Sequence, residues 1–124
     1  SREARVTVSF SVRNSAQESM HVGDMEVTIA RKGKSRSQGI CRVRAIDVLG
    51  RPVAGVSITG AWSGAATDAF NVMTGSDGWA IDYSNSAVSA PGLAFTCTAQ
   101  ALQLAGWRYD AEANQVESLT AIMP

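Results

Sequence analysis

The chain has 124 residues, of which 45% are hydrophobic, 18% charged and 6% aromatic, and this composition is typical of one folded domain rather than a disordered segment. Its eleven basic and eleven acidic residues cancel, and no apolar run approaches the roughly 20 residues that a membrane-spanning helix requires. No basic segment followed by an apolar stretch marks a signal peptide. We therefore expect one domain over residues 1–124, without membrane insertion, taken from a longer protein because it begins at Ser1.

The charges are unevenly distributed along the chain. Residues 1–51 carry ten basic and five acidic side chains, a surplus of +5, whereas residues 52–124 carry one basic and six acidic side chains, a surplus of −5. Such asymmetry can indicate a polyanionic partner. In a sheet protein, however, strands from both halves interleave in space, and the basic run at 31–36 is interpreted as a solvated hairpin loop. We therefore expect no nucleic-acid partner.

Apolar and polar residues alternate with a period of two along most of the chain, which predicts β-strands rather than helices. Strands are predicted at 6–12, around 27–29, and at 41–45, 56–62, 70–72, 79–83, 93–101 and 116–122. The Asp-Gly turn at 75–78 is predicted to close a hairpin between the strands at 70–72 and 79–83. Short strands separated by regular turn signals are typical of a sandwich or barrel. We therefore predict an all-β, two-sheet sandwich of about seven or eight strands.

The side chains in the apolar phase of these strands are predicted to form the core between the two sheets. They include Val43, Ile58, Trp62, Ile81 and Phe95. Cys41 and Cys97 lie in the same phase as their apolar neighbours and belong to no Cys-x-x-Cys pair, so we do not expect them to bind a metal. Two buried free thiols are one interpretation. A single long-range disulfide, typical of a secreted domain, is the interpretation we favour.

The sequence offers little support for catalysis. The only histidine, His21, stands in no context typical of a nucleophile–histidine pair, so we expect it to have a structural role. No glycine-rich loop of the nucleotide-binding kind is present. We therefore predict no enzyme activity and no cofactor.

The acidic residues of the second half could act as paired carboxylates or as metal ligands. The available carboxylates are Asp68, Asp77, Asp82, Asp110 and Glu112. Most of them occupy turn positions that favour Asp for local hydrogen bonding. Asp110, Glu112 and Asn114 alternate in a loop and could offer oxygens to calcium, but the EF-hand pattern is missing. We therefore predict no metal site.

Four aromatic residues in the second half could stack on sugar rings if they were exposed. Trp79 and Tyr83 share the predicted inward phase of Ile81, which favours core packing. Trp107 and Tyr109 lie in a loop-like stretch on either side of a basic residue, which favours exposure. We therefore predict Trp107 and Tyr109 as the ligand-binding candidates, with a polysaccharide as the corresponding ligand.

Six short segments spread over residues 20–122 carry turn and strand motifs in a definite order. They are Met-His-Val-Gly-Asp at 20–24, Asp-Val-Leu-Gly-Arg-Pro-Val-Ala-Gly-Val at 47–56, Gly-Ala-Trp-Ser-Gly at 60–64, Thr-Gly-Ser-Asp-Gly at 74–78, Phe-Thr-Cys-Thr at 95–98 and Tyr-Asp-Ala-Glu-Ala-Asn at 109–114. In this order they resemble a bacterial immunoglobulin-like or fibronectin-III-like module of secreted hydrolases and surface proteins. The order Cys41, Trp62, Cys97 is similar to the immunoglobulin core, although Trp62 comes late and Phe95 replaces a tyrosine.

The resemblance implies a non-catalytic accessory module, secreted or on the cell surface, that acts as a spacer, a stabilising element or a substrate-targeting element. Its partners would be neighbouring domains of the same polypeptide. Residues 1–19 fall outside the resemblance and are expected to be an added edge strand or the end of a linker. Two alternatives remain: a carbohydrate-binding module that uses the loop aromatics, and an adhesive module that pairs through an edge strand such as 6–12.

Overall fold

The computed structural model describes residues 18–124, whose regular secondary structure is almost entirely β-strand. The strands are β1 (Glu18–Arg31), β2 (Arg36–Asp47), β3 (Ser57–Gly64), β4 (Ala69–Met73), β5 (Trp79–Tyr83), β6 (Ala87–Val88), β7 (Ala94–Gln103), β8 (Trp107–Tyr109) and β9 (Ser118–Ile122). One 3₁₀ turn at Ala111–Ala113 lies between β8 and β9. The strand predicted at 6–12 lies outside the described residues.

The strands form two sheets packed face to face. Sheet A has the order β5–β2–β1–β8, with β6 also paired to β2, and sheet B has the order β4–β3–β7–β9. All pairs are antiparallel except β1 with β8, which run parallel. The predicted all-β, two-sheet sandwich is thereby confirmed. Glu18 and Ser19 belong to β1 and pair with β8, and the rest of the segment predicted as an edge strand or linker end lies outside the described residues.

The core is centred on a disulfide between the two sheets. Cys41 on β2 and Cys97 on β7 are bonded, with their Cα atoms 6.3 Å apart, which confirms the predicted bridge. Trp62 lies opposite Cys97 on the neighbouring strand, and its ring meets Phe95 edge-on at a centroid distance of 6.4 Å. Gly39 of β2 makes room for this ring, because a Cβ there would lie 2.7 Å from the indole. Val43 and Ile58 complete the predicted core positions that are buried.

The Asp-Gly turn at 75–78 forms as predicted, but it does not close a hairpin. Gly78 has a φ of +81°, and its N–H donates to the Gly75 carbonyl over 2.9 Å. The strand before the turn, β4, pairs with β3 in sheet B, whereas β5 after it pairs with β2 in sheet A. The turn therefore carries the chain from one sheet to the other. The turn residues determine only the local reversal of the chain, so they cannot distinguish a hairpin within one sheet from a connection between the two sheets.

The prediction that Ile81 belongs to the core is wrong. Ala80 is buried at 4% exposure, whereas Ile81 is 38% exposed and Tyr83 is 54% exposed. The strand faces the core with Ala80 and Asp82, since the carboxylate of Asp82 accepts a hydrogen bond from the Trp62 indole N–H over 2.8 Å. A period of two identifies two faces of a strand but does not determine which of them points inward.

The alternation predicted over 93–101 ends at Ala99. Opposite Thr59 and Gly60 the register shifts, so that Ala99 and Ala101 face consecutive residues of β3. This bulge reverses the phase of β7, and Leu102 is buried while Ala101 is exposed. Gly60 is required here because a Cβ would lie in contact with the Phe70 ring and the Thr98 carbonyl.

Candidate functional site on the outer face of sheet A

The aromatic residues predicted to bind a ligand, Trp107 and Tyr109, do not lie on an exposed loop. They form β8, which runs parallel to the start of β1, and both are half-buried against the core. The Tyr109 hydroxyl accepts a hydrogen bond from the Asn114 side-chain amide over 2.7 Å. The prediction that these two rings are exposed is therefore wrong. The pairing of β8 with β1 joins segments almost 90 residues apart, and no local pattern signals it.

His21 lies in β1 opposite Ile46 and is buried, with 8% of its surface exposed. Its Nδ1 atom makes no hydrogen bond to any of residues 18–124. The neighbouring backbone of Val22 is bonded to the 114–115 segment through the Asn114 side-chain oxygen, at 2.7 Å, and the Gln115 N–H, at 3.0 Å. This part of the molecule therefore holds the chain after β8 against β1.

Two of the three side chains that could offer oxygens to calcium, Asn114 and Asp110, contact other residues of the protein, whereas Glu112 is exposed. The Asn114 oxygen accepts the Val22 N–H, and the Asp110 carboxylate lies 3.9 Å from the Arg108 guanidinium. Within residues 18–124 no group of three or more Cys, His, Asp or Glu side chains is placed to hold a metal ion. The alternating acidic stretch is thus part of the loop that returns the chain to sheet B.

Two carboxylates, those of Asp68 and Asp82, lie at the side of the sandwich where β4 and β5 diverge, and the charge of Asp82 acts on Asp68. Burial raises the pKa of Asp68, the Asp82 charge raises it further, and the Asn85 backbone N–H opposes both effects. One oxygen of Asp68 is buried without a hydrogen-bond partner in residues 18–124, whereas Asp82 is bound to the Trp62 indole. A raised carboxyl pKa is a property of many acid catalysts. Here the pair lies apart from the grooves described next.

The outward side chains of β1, β2 and β5 form a continuous surface, which we call the outer face of sheet A. Three registered rows cross it from β1 to β2 to β5. They are Asp24–Arg44–Trp79, Glu26–Arg42–Ile81 and Thr28–Ile40–Tyr83. Each row ends on β5 in a large apolar side chain, because β5 points Trp79, Ile81 and Tyr83 away from the core. The sequence pattern predicts the opposite orientation for these residues, whereas their pairing with the Arg-bearing face of β2 places them on the outer face.

The charged residues of the outer face surround a shallow groove of about 490 Å³ between β1, β2 and β5. The Arg44 guanidinium lies 5.9 Å from the centre of the Trp79 ring, and its Nε donates to the Asp77 carbonyl over 3.2 Å. Arg42 and Glu26 approach to 4.0 Å while each stays 56% exposed. Such an exposed ion pair contributes little stability, and because both side chains remain more than half exposed, both can form hydrogen bonds with a ligand. A second, smaller groove of about 210 Å³ lies near Arg31 and the C-terminus.

Comparison with known proteins does not assign the chain to a family. It matches no protein-family model, and no curated protein or solved structure is significantly similar to it. Within residues 18–124 there is no helix of the length and apolar character needed to cross a membrane. The fold and the outer face of sheet A are therefore the features that bear on function.

Proposed function

We propose that this chain is a non-catalytic, immunoglobulin-like accessory module of a secreted bacterial multidomain protein, acting as a spacer, a stabilising element or a substrate-targeting element. The observation that carries the proposal is the Cys41–Cys97 disulfide, which joins the two sheets at the centre of the core. A structural disulfide of this kind persists in oxidising compartments, which supports a secreted or cell-surface location.

The arrangement around the disulfide supports the immunoglobulin-like assignment. The bridge connects a strand of each sheet, and Trp62 lies beside it on the strand next to Cys97. An aromatic side chain packed on an inter-sheet bridge is characteristic of the immunoglobulin core. The arrangement of the longer strands, with β1, β2 and β5 in sheet A beside the short β6 and β8, and β4, β3, β7 and β9 in sheet B, is compatible with a fibronectin-III-like module.

Two of the segments that resemble an accessory module, at 47–56 and 109–114, contain polar side chains that hold a turn or a loop in place. The Asp47 carboxylate accepts hydrogen bonds from the Leu49 and Arg51 N–H groups and from the Arg51 side chain, each at 2.9 Å, and so fixes the turn after β2. Tyr109 and Asn114 bond to each other and fix the loop after β8. Polar residues that hold loops in place are expected of a module whose task is mechanical or positional.

The proposal is tested by assaying the purified 124-residue chain against panels of polysaccharide, ester and peptide substrates. We expect a folded monomer without turnover. Because Asp68 and Asp82 form the carboxylate pair with a perturbed member, Asp68→Asn/Asp82→Asn serves as the matched variant. Turnover that this variant abolishes would contradict the proposal and identify the pair as catalytic.

A further inference from the structure

The outer face of sheet A has the combination of surfaces that a sugar chain requires. A pyranose ring has an apolar face of C–H groups and a rim of hydroxyls, so its binding surface needs flat apolar rings flanked by hydrogen-bonding groups. Trp79 and Tyr83 supply the rings, and Tyr83 is 54% exposed. Aromatic rings carry negative charge on their faces, which attracts the slightly positive C–H groups of a sugar.

The spacing of the two rings fits an elongated ligand. Trp79 and Tyr83 are four residues apart on one strand, so their Cα atoms are separated by about 13 Å. Ile81, 38% exposed, lies between them on the same face. A ligand that touches both rings therefore runs along β5, parallel to the edge of the sheet, and spans more than one sugar unit.

The charges around the groove favour a neutral ligand. Arg42 and Arg44 are balanced by Asp24 and Glu26 in the same rows, and Asp77 lines the groove. A polyanion would meet these carboxylates, and a polycation would meet the guanidinium groups. Glu26 and Arg42 are each 56% exposed, so one can accept and the other donate hydrogen bonds to hydroxyls. The groove of about 490 Å³ lies within the range of volumes of small-ligand sites.

A protein partner fits the surface less well. The central part of a protein interface is depleted of charged residues. On this face two of the three rows, those of Trp79 and Ile81, place a carboxylate and a guanidinium beside the apolar side chain of β5. An amphipathic ligand, apolar on one face and hydroxylated at its rim, matches a surface on which charged and apolar side chains lie side by side.

We propose that the outer face of sheet A binds a neutral polysaccharide chain, with Trp79 and Tyr83 as stacking residues and Glu26 and Arg42 as hydrogen-bonding residues. This inference names the ligand class for the targeting role. Absence of polysaccharide binding would leave the spacer role intact, because binding tests the ligand class whereas turnover tests the non-catalytic function.

The test is retention of the 124-residue chain on insoluble cellulose, chitin, xylan, mannan and starch, with heparin and polygalacturonate as anionic probes. We expect retention on at least one neutral polysaccharide and competition by its soluble oligosaccharides. Trp79→Ala/Tyr83→Ala should weaken binding by about tenfold or more, the equivalent of two aromatic contacts. Because Trp79 is half-buried, Tyr83→Ala provides an independent test on an exposed side chain.

Matched variants define the outcomes. Tyr83→Phe keeps the ring and should retain binding, and Leu49→Ala removes an apolar side chain, 71% exposed, outside this face and should have no effect. Retention on no neutral polysaccharide, retention on the anionic probes alone, or binding unchanged in the double variant would overturn the proposal. Concentration-dependent self-association that Tyr83→Ala abolishes would also overturn it, since the occupant would then be a second copy.

Discussion

At the scale of single residues, Asp47 shows how one carboxylate can organise a turn. Burial alone would raise its pKa, but hydrogen bonds from the Arg51 backbone and side chain and from the Leu49 N–H together lower it. We expect Asp47→Ala to cost about 2 kcal/mol of the free energy of unfolding, because it leaves these donors without their acceptor. Chemical denaturation at pH 7 measures the loss, with Glu112→Ala, in the exposed 3₁₀ turn, as control.

The lowered pKa of Asp47 also predicts a pH dependence. A carboxyl group with a folded-state pKa below its unfolded value of about 3.9 contributes stability above that value and loses it as the pH falls through the folded-state pKa. The difference in unfolding free energy between the native chain and Asp47→Asn should therefore be largest near pH 7 and shrink below about pH 4. A difference that grows on acidification would contradict this account of the turn.

Asp68 should show the opposite behaviour, because burial and the Asp82 charge raise its pKa. The ionised carboxyl then costs stability at neutral pH, and this cost disappears as the pH falls through the raised pKa and the unfolded value. We expect Asp68→Asn to be more stable than the native chain at pH 7 and to lose that advantage in acid. Thermal unfolding of both proteins at several pH values measures this difference in stability. A variant less stable than the native chain at pH 7 would contradict the prediction and show that the ionised carboxylate stabilises the fold.

At the scale of strands, the packing of Trp62 depends on the absence of a side chain at Gly39. A Cβ at this position would lie 2.7 and 2.9 Å from two indole carbons. We expect Gly39→Ala to destabilise the fold by about 1–3 kcal/mol through overpacking. Gly75→Ala is the matched control, because its Cβ would meet nothing closer than 3.6 Å and its φ is not in the left-handed region. Equal midpoints of unfolding for the two variants would contradict the packing described for Trp62.

The same scale shows what sequence patterns can and cannot determine. The inward phase of β2 and β3 was predictable because apolar and charged or polar residues alternate there, as with Val43 between two arginines. In β5 both faces carry apolar residues, and the orientation depends on Asp82 reaching Trp62 across the sandwich. The exposure of Trp107 was mispredicted for a related reason, since its burial results from pairing with a strand almost 90 residues earlier. The errors thus fall where long-range contacts decide the structure.

At the scale of the whole molecule, the disulfide links the halves of the sandwich across a sequence separation of 56 residues. In the chain-entropy description, closing a loop of this size stabilises the native state by about 4 kcal/mol. We expect Cys41→Ala/Cys97→Ala to lower the free energy of unfolding by about this amount. Denaturation of the native chain with and without reductant is the parallel measurement, and identical midpoints would contradict a structural role for the bridge.

The orientation of β5 is the central structural claim, because it turns Trp79, which is half-buried, and Tyr83, which is 54% exposed, away from the core and so creates the outer face of sheet A. Hydroxyl-radical footprinting with mass spectrometry tests it directly, since oxidation of a side chain follows its exposure to solvent. We expect Tyr83 to be oxidised faster than Tyr109, and Trp79 faster than Trp62, which is only 3% exposed. Preferential oxidation of Trp107 and Tyr109, with Tyr83 protected, would contradict the account.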